Sequence, residues 1–234
     1  MATVMQQLRR YWFRLRRGVE TQGVLAVAFL AAGRVFSIDV EHVWYALDLQ
    51  GVEPLTLAAG YHLHRGTQAD TELLRELPAV PVEEGRGRVG DGDQLWFVLK
   101  EREPAFVCFC FLRGFHLEGA RGGWYELPDG VACLENSLAS PKHRGHGIAP
   151  AAWAGIAASL RDDGFEVLIT RAEVENVAVR RALEKIGFRA AGVMHRSRRG
   201  VRSRVVFRDE STELTEAERT AVADLKEKTS ATTG

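Results

Sequence analysis

Charge of one sign is what this chain of 234 residues most plainly lacks: 31 basic residues face 31 acidic ones, and the formal net charge is zero. A balanced total supplies no global field to hold nucleic acid or an anionic membrane, and neither partner is expected. Long apolar runs are missing too. The best N-terminal stretch, residues 24–32 behind a group of arginines, falls short of the ~20 residues a spanning helix needs. No small-residue cleavage site follows it, so neither a membrane span nor a signal peptide is expected, and the location is read as cytoplasmic. Cysteine is scarce. Cys108, Cys110 and Cys133 lie in apolar, strand-like sequence, with neither the paired spacing of a zinc site nor the density of a secreted disulfide scaffold. Buried, reduced thiols and no metal centre follow. There is no Gly-Lys-Ser/Thr phosphate loop, no three-glycine dinucleotide fingerprint and no internal repeat.

What is present is local. Five arginines crowd residues 9–17 and another five, Arg196, Arg198, Arg199, Arg202 and Arg204, crowd 196–204, while residues 209–227 lean acidic. Periodicity predicts helices over 3–18 and 24–36 and a strand over 42–49. Strands are expected at 57–64, 94–100, 105–113, 131–140, 166–170, 190–194 and 201–207. Helices are expected at 67–77, 176–186 and 211–228, and from the glycine-rich stretch near 145 to residue 160. Residues 78–93, rich in proline, glycine and acids, read as a loop, as do 114–123. Antiparallel strands followed by a strand–helix–strand–helix–strand half define a mixed α/β sheet covered by helices. The division reads as an extension over 1–55 packed on the domain, a main domain over 56–209, and a polar tail over 210–234. The apolar N-terminal helices could equally pack on a second copy, as a homodimer.

The chemistry concentrates between residues 138 and 160. A strand ends at Ser140-Pro141, and Arg144, Gly145, His146, Gly147, Ile148 and Ala149 lead at once into a helix. A glycine-rich strand-to-helix turn leaves several backbone N–H groups unpaired at the positive end of a helix dipole, which suits phosphate oxygens. Arg144, Gly147 and Ala149 fill the three defined positions of the Arg/Gln-x-x-Gly-x-Gly/Ala signature. A second segment, 176–188, opens a helix with Asn176 and closes in Gly187-Phe188. Together they resemble the GNAT acetyltransferases, of bacterial type with an N-terminal extension. The resemblance implies a mostly antiparallel mixed sheet of about seven strands with a V-shaped splay, flanked by helices.

It implies roles as well. The backbone of the strand before the loop, through Leu138, Ala139 and Ser140, would bind the acyl and pantetheine parts of the donor. The amides of Arg144 to Ala149 would hold the pyrophosphate. Asn176 would contact the pantetheine arm or simply cap its helix. Where many relatives carry a tyrosine that protonates the departing thiolate, this chain has Leu183, so another group supplies the proton, the thiolate leaves unaided, or the site does not catalyse. Strand alternation sets Ala132, Leu134 and Leu138 on a core face and Cys133, Glu135 and Ser137 on a cleft face. Glu135 is then the first candidate base, with Ser137 and Tyr125 beside it as catalytic candidates.

The expected reaction is acyl transfer from acetyl-CoA or another acyl-CoA to the primary amine of a small acceptor by direct attack. Two alternatives stand next to it. One takes the acyl group from the phosphopantetheine of an acidic acyl carrier protein recruited by Arg196, Arg198, Arg199, Arg202 and Arg204. The other is a non-catalytic acyl-CoA-binding module.

Overall fold

The computed structural model describes residues 37–117, 120, 123–199, 202–209 and 213–229; the helices expected over 3–18 and 24–36 lie outside them. Ten strands are described: β1 (Ser37–Asp48), β2 (Tyr61–Gly66), β3 (Gln94–Lys100), β4 (Glu103–Phe111), β5 (Gly114–His116), β6 (Trp124–Glu126), β7 (Val131–Ala139), β8 (Val167–Glu173), β9 (Arg189–Arg199) and β10 (Arg202–Asp209). The helices are α1 (Val82–Gly90), α2 (Ile148–Asp162), α3 (Val177–Lys185) and α4 (Glu216–Thr229). Eight strands form one sheet in the order β10-β9-β1-β8-β7-β4-β3-β2, and β5 pairs with β6 apart from it.

The seven strands expected in the domain are all there, and the eighth is β1. This strand was assigned to an extension lying on the domain. It runs instead through the sheet, antiparallel to β8 from His42↔Glu173 to Asp48↔Val167 and to β9 from Ser37↔Arg199 to Ala46↔Arg189. The reason is its burial on both faces. Val43, Tyr45 and Leu47 face one core while Trp44 and Ala46 face another, and a strand so apolar cannot sit at an edge.

The two faces are covered separately. Leu134, Phe106 and Leu168 meet Trp153, Ile156 and Leu160 of α2 and Leu183 of α3. On the reverse face Ile169 and Cys133 lie with Val222 and Leu225 of α4, and Phe97 and Phe109 lie with Leu74 and Val82 of the segment before β3.

That segment corrects the loop expected at 78–93, since α1 occupies 82–90. Its glycines disguise it. Gly85 is buried, and a Cβ there would lie 2.4 Å from Leu74 Cδ1, so the glycine serves packing rather than a turn. Glu83 and Glu84 occupy its first turn, where they suit the helix dipole. The helix expected over 67–77 is a 3₁₀ segment, Ala69–Arg75. The Thr67 hydroxyl just before it donates to Asp70 Oδ2 at 2.7 Å.

Candidate functional site

Strands β7 and β8 are parallel neighbours only from Val131↔Val167 to Leu134↔Thr170. Beyond that point β7 continues along β4, with Val107 opposite Leu138 and Phe106 opposite Ala139, while β8 continues along β1. The sheet opens here as a V, with Glu135–Ala139 on one lip and Arg171–Glu173 on the other.

Ser140 donates its N–H to Ala105 O at 2.9 Å, and strand alternation turns the N–H and C=O of Ala139 away from β4 toward the gap. Past Ser140, a single 3₁₀ turn, Pro141–His143, leads into the glycine loop. Gly145 has φ 82° and Gly147 φ 67°, both left-handed. Gly147 is the N-cap of α2 without any side-chain cap. The first backbone bond into the helix runs from Ala151 N–H to Gly147 O. The N–H groups of Gly145, Gly147, Ile148 and Ala149 donate to no backbone carbonyl. A side chain at either glycine would meet nothing within 4 Å, so the loop is an open cradle of donors at a helix N-terminus. Arg144, Gly145, His146 and Gly147 are exposed. The donor set fits the pyrophosphate of an acyl-CoA.

His143 is not at the surface. It is buried, its Nδ1 lies 3.0 Å from Tyr61 Oη, and it supports the loop from within. Asn176 caps α3, accepting the N–H of Val179 at 3.3 Å. Leu183 is buried against the sheet, so α3 offers no acid at that position. The hydroxyl that does reach α3 is that of Tyr45 from β1. It accepts from Arg180 Nε at 3.0 Å and lies 3.2 Å from Glu184 Oε1. Burial, more than its neighbours, raises its pKa.

The cleft face read by strict alternation is corrected. Three residues of β4, Val107 to Phe109, stand opposite four of β7, Glu135 to Leu138, and Asn136 takes φ 56°. This bulge inserts one residue. Cys133 and Glu135 stay on the α4 face, and Ser137 turns to the α2 face. There Ser137 Oγ accepts from Trp153 Nε1 at 3.1 Å and lies 3.1 Å from Cys108 Sγ. Burial pushes the Cys108 thiol up to about 12; Cys110 and Cys133 are raised by burial as well, and all three are free and buried. Tyr125 is fully buried, and its hydroxyl donates to Asp224 of α4 at 2.8 Å. Burial and that carboxylate raise its pKa.

Glu135 Oε1 stands 2.8 Å from Arg171 Nε across the opening of the V, and the Arg171 guanidinium lies over the Trp44 ring at 5.4 Å. His42, on the same face, was missed by sequence reasoning. Burial first, then the charges of Arg171 and Arg196, lower its pKa from 6.5 to about 4. No pattern in the sequence gathers these residues, because β1 and β8 meet only in the fold.

Arg196 stands opposite Val205 and Arg204 opposite Ser197, so the two fall on opposite faces of the sheet. No cluster of metal-ligating side chains occurs among the described residues. No described helix is long and apolar enough to cross a membrane.

A splayed mixed sheet with a donor cradle at the helix beside the splay is the architecture of the GNAT fold. The sequence model of the Acetyltransferase (GNAT) family matches residues 71–188, half of the chain, and the protein belongs to that family. The fold is similar to that of a structural-genomics protein from Drosophila (12% identity, TM-score 0.52, 74% of this chain and 56% of that one). It is similar too to a GCN5-related N-acetyltransferase from Sphaerobacter thermophilus (11%, 0.52, 81% and 58%). A third likeness is to the GCN5-related glucosamine N-acetyltransferase region of a fungal multi-domain β-N-acetylglucosaminidase (15%, 0.51, 75% and 22%). The chain thus spans less than two thirds of the length of each of these structures. No curated protein matches it by sequence.

Proposed function

We propose that the protein transfers an acetyl or other acyl group from acyl-CoA to the primary amine of a small acceptor, by direct attack on the thioester. The supporting observation is the open cradle of Gly145, Gly147, Ile148 and Ala149 N–H groups where β7 leaves β8. When bound, acyl-CoA supplies the activated acyl group. The cradle holds its pyrophosphate, and the backbone of Leu138 and Ala139 lines its pantetheine arm along the V. The Ala139 N–H, turned toward the gap, stabilises negative charge on the carbonyl oxygen.

Glu135 is the base of choice. Its carboxylate lies on the face opposite α2, where an acceptor amine meets the end of a donor threaded from the α2 side. It takes the ammonium proton directly or through water, a role worth typically ~10²–10⁴-fold. Ser137 and Tyr125 serve structure in this reading, as partners of Trp153 and Asp224. With Leu183 buried, the leaving thiolate is protonated from the attacking nitrogen or from solvent, and a thiol is acidic enough to leave without a dedicated acid.

Calorimetric titration with acetyl-CoA and longer acyl-CoAs, beside a Gly147→Glu variant, tests the reading. Binding that is lost in the variant supports it; absence of binding by the folded wild type overturns it. The arginines of β9 and β10 motivate the carrier-protein donor, but the opposed faces of Arg196 and Arg204 leave the CoA reading the better supported.

A further inference from the structure

Where the sheet divides, one glutamate and one arginine stand face to face. Leu134↔Thr170 is the last parallel pair, so Glu135 and Arg171 are the first residues on the two lips, and both lie on the face opposite α2. Their charged groups are 2.8 Å apart and mostly buried, with side-chain exposures of 15% and 25%.

Two polar atoms in this patch are left wanting. Glu135 Oε1, although beside the guanidinium, is buried without a hydrogen bond of good geometry. Trp44 Nε1, in the indole beneath Arg171, is a buried donor with no acceptor. Around them the register sets further charge. Trp44 pairs with Arg171 and His42 with Glu173, while Val40 pairs with Arg196. Arg171 and Arg196 are therefore both diagonal neighbours of His42 on one face. Glu173 lies at the exposed end of the same row. The patch thus offers an acceptor beside a cation and an unused donor, all within one residue of the splay.

Resting on the acyltransferase reading above, we infer that the acceptor is a zwitterion: a primary amine with a carboxylate a few bonds away, as in an α-amino acid. The ammonium replaces the guanidinium at Glu135, and the carboxylate replaces Glu135 at Arg171, within reach of the Trp44 N–H. A plain amine would take Glu135 from Arg171 and leave a half-buried cation uncompensated, which is costly. A zwitterion satisfies both members. In the reaction Glu135 removes one ammonium proton, the nitrogen bonds to the carbonyl carbon and the C–S bond breaks. The second nitrogen proton ends on the departing thiolate, giving an amide and a free thiol.

The test uses the full chain with acetyl-CoA and matched acceptors: α-amino acids, the amines left by their decarboxylation, and their methyl esters. Thiol release gives kcat/KM for each, and calorimetry on the same preparation gives acetyl-CoA affinity. The expected result is a preference of about tenfold or more for the free acids, the worth of a charged hydrogen bond. Arg171→Gln should raise KM for the acids and collapse their advantage over the decarboxylated amines, which no longer leave a buried cation uncompensated. Trp44→Phe, which keeps the ring and removes the N–H, should narrow the preference without abolishing turnover. Equal or better use of plain amines, a preference that survives Arg171→Gln, or donor binding with no turnover of any acid overturns the zwitterion while leaving acyl-CoA binding intact. Failure to bind acetyl-CoA overturns both readings.

Discussion

Glu135 and Ser137 stand two positions apart in one strand yet point to opposite faces of the sheet, because Asn136 at φ 56° inserts a bulge between them. The bulge separates the two jobs of β7. Its carboxylate looks to the α4 face while its hydroxyl ties the strand to Trp153 of α2. A β-branched residue at a left-handed position is strained by about 1–3 kcal/mol. Asn136→Val should therefore lower unfolding free energy by that amount in urea titrations, while Asn136→Gly should hold stability within about 1 kcal/mol. If Asn136→Val proves neutral, the left-handed bulge is not what the sequence specifies.

Gly147 separates space from conformation. A Cβ there meets nothing within 4 Å, yet φ is 67°. Gly147→Ala should cost about 1 kcal/mol from backbone strain alone. Gly147→Glu should add a like charge against phosphate and abolish acyl-CoA binding with circular dichroism unchanged.

Two ionisable groups oppose one another in their pH dependence. Burial, partly offset by the Leu112 N–H and by Arg88, raises Asp93 from 3.8 to about 6. The folded state then holds more protons than the unfolded one between about pH 4 and 6, and stability falls as pH rises through that window. His42, lowered from 6.5 to about 4 chiefly by burial, binds more protons unfolded, and stability falls as pH drops from about 6.5 to 4. The slopes overlap with opposite sign. Asp93→Asn should stabilise the protein at pH 7 and expose a steeper acid-side loss. His42→Gln should expose the reverse slope, as read from denaturation midpoints at pH 4, 5, 6 and 7.

A chain beginning at residue 56 removes β1. With ladders on both sides and a core on both faces, β1 is not dispensable, and we expect the shortened chain to be insoluble or to lack a cooperative thermal transition. A well-folded product would show that β8 and β9 close the gap by themselves.

The donor loop was legible because its requirements are local. Glycines at left-handed positions, a helix start and a preceding proline lie within one short stretch of sequence. The alternation of apolar residues likewise located β3, β4, β7 and β8. What failed was of two kinds. Gly85, Gly87 and Gly90 made α1 look like a loop, since a glycine chosen for close packing cannot be told from one chosen for a turn. The Asn136 bulge inverted the expected face of Ser137, because a single added residue leaves no periodic trace. The Glu135–Arg171–His42 patch needs three strands from distant parts of the chain, and no local signal could join them.

The central place of β1 sets an order of assembly. This strand precedes all the others described in the chain, but its partners, β8 at Val167–Glu173 and β9 at Arg189–Arg199, come near the end. During synthesis its two faces of valine, tryptophan and leucine must wait for most of the polypeptide to emerge. Closing contacts between residues so far apart slows folding and leaves apolar surface open meanwhile. Strands β2 to β7 can gather earlier, so a late event is the locking of β1 between β8 and β9. The splay beside β8 takes its final form only then, which ties the appearance of a binding-competent site to the emergence of β9.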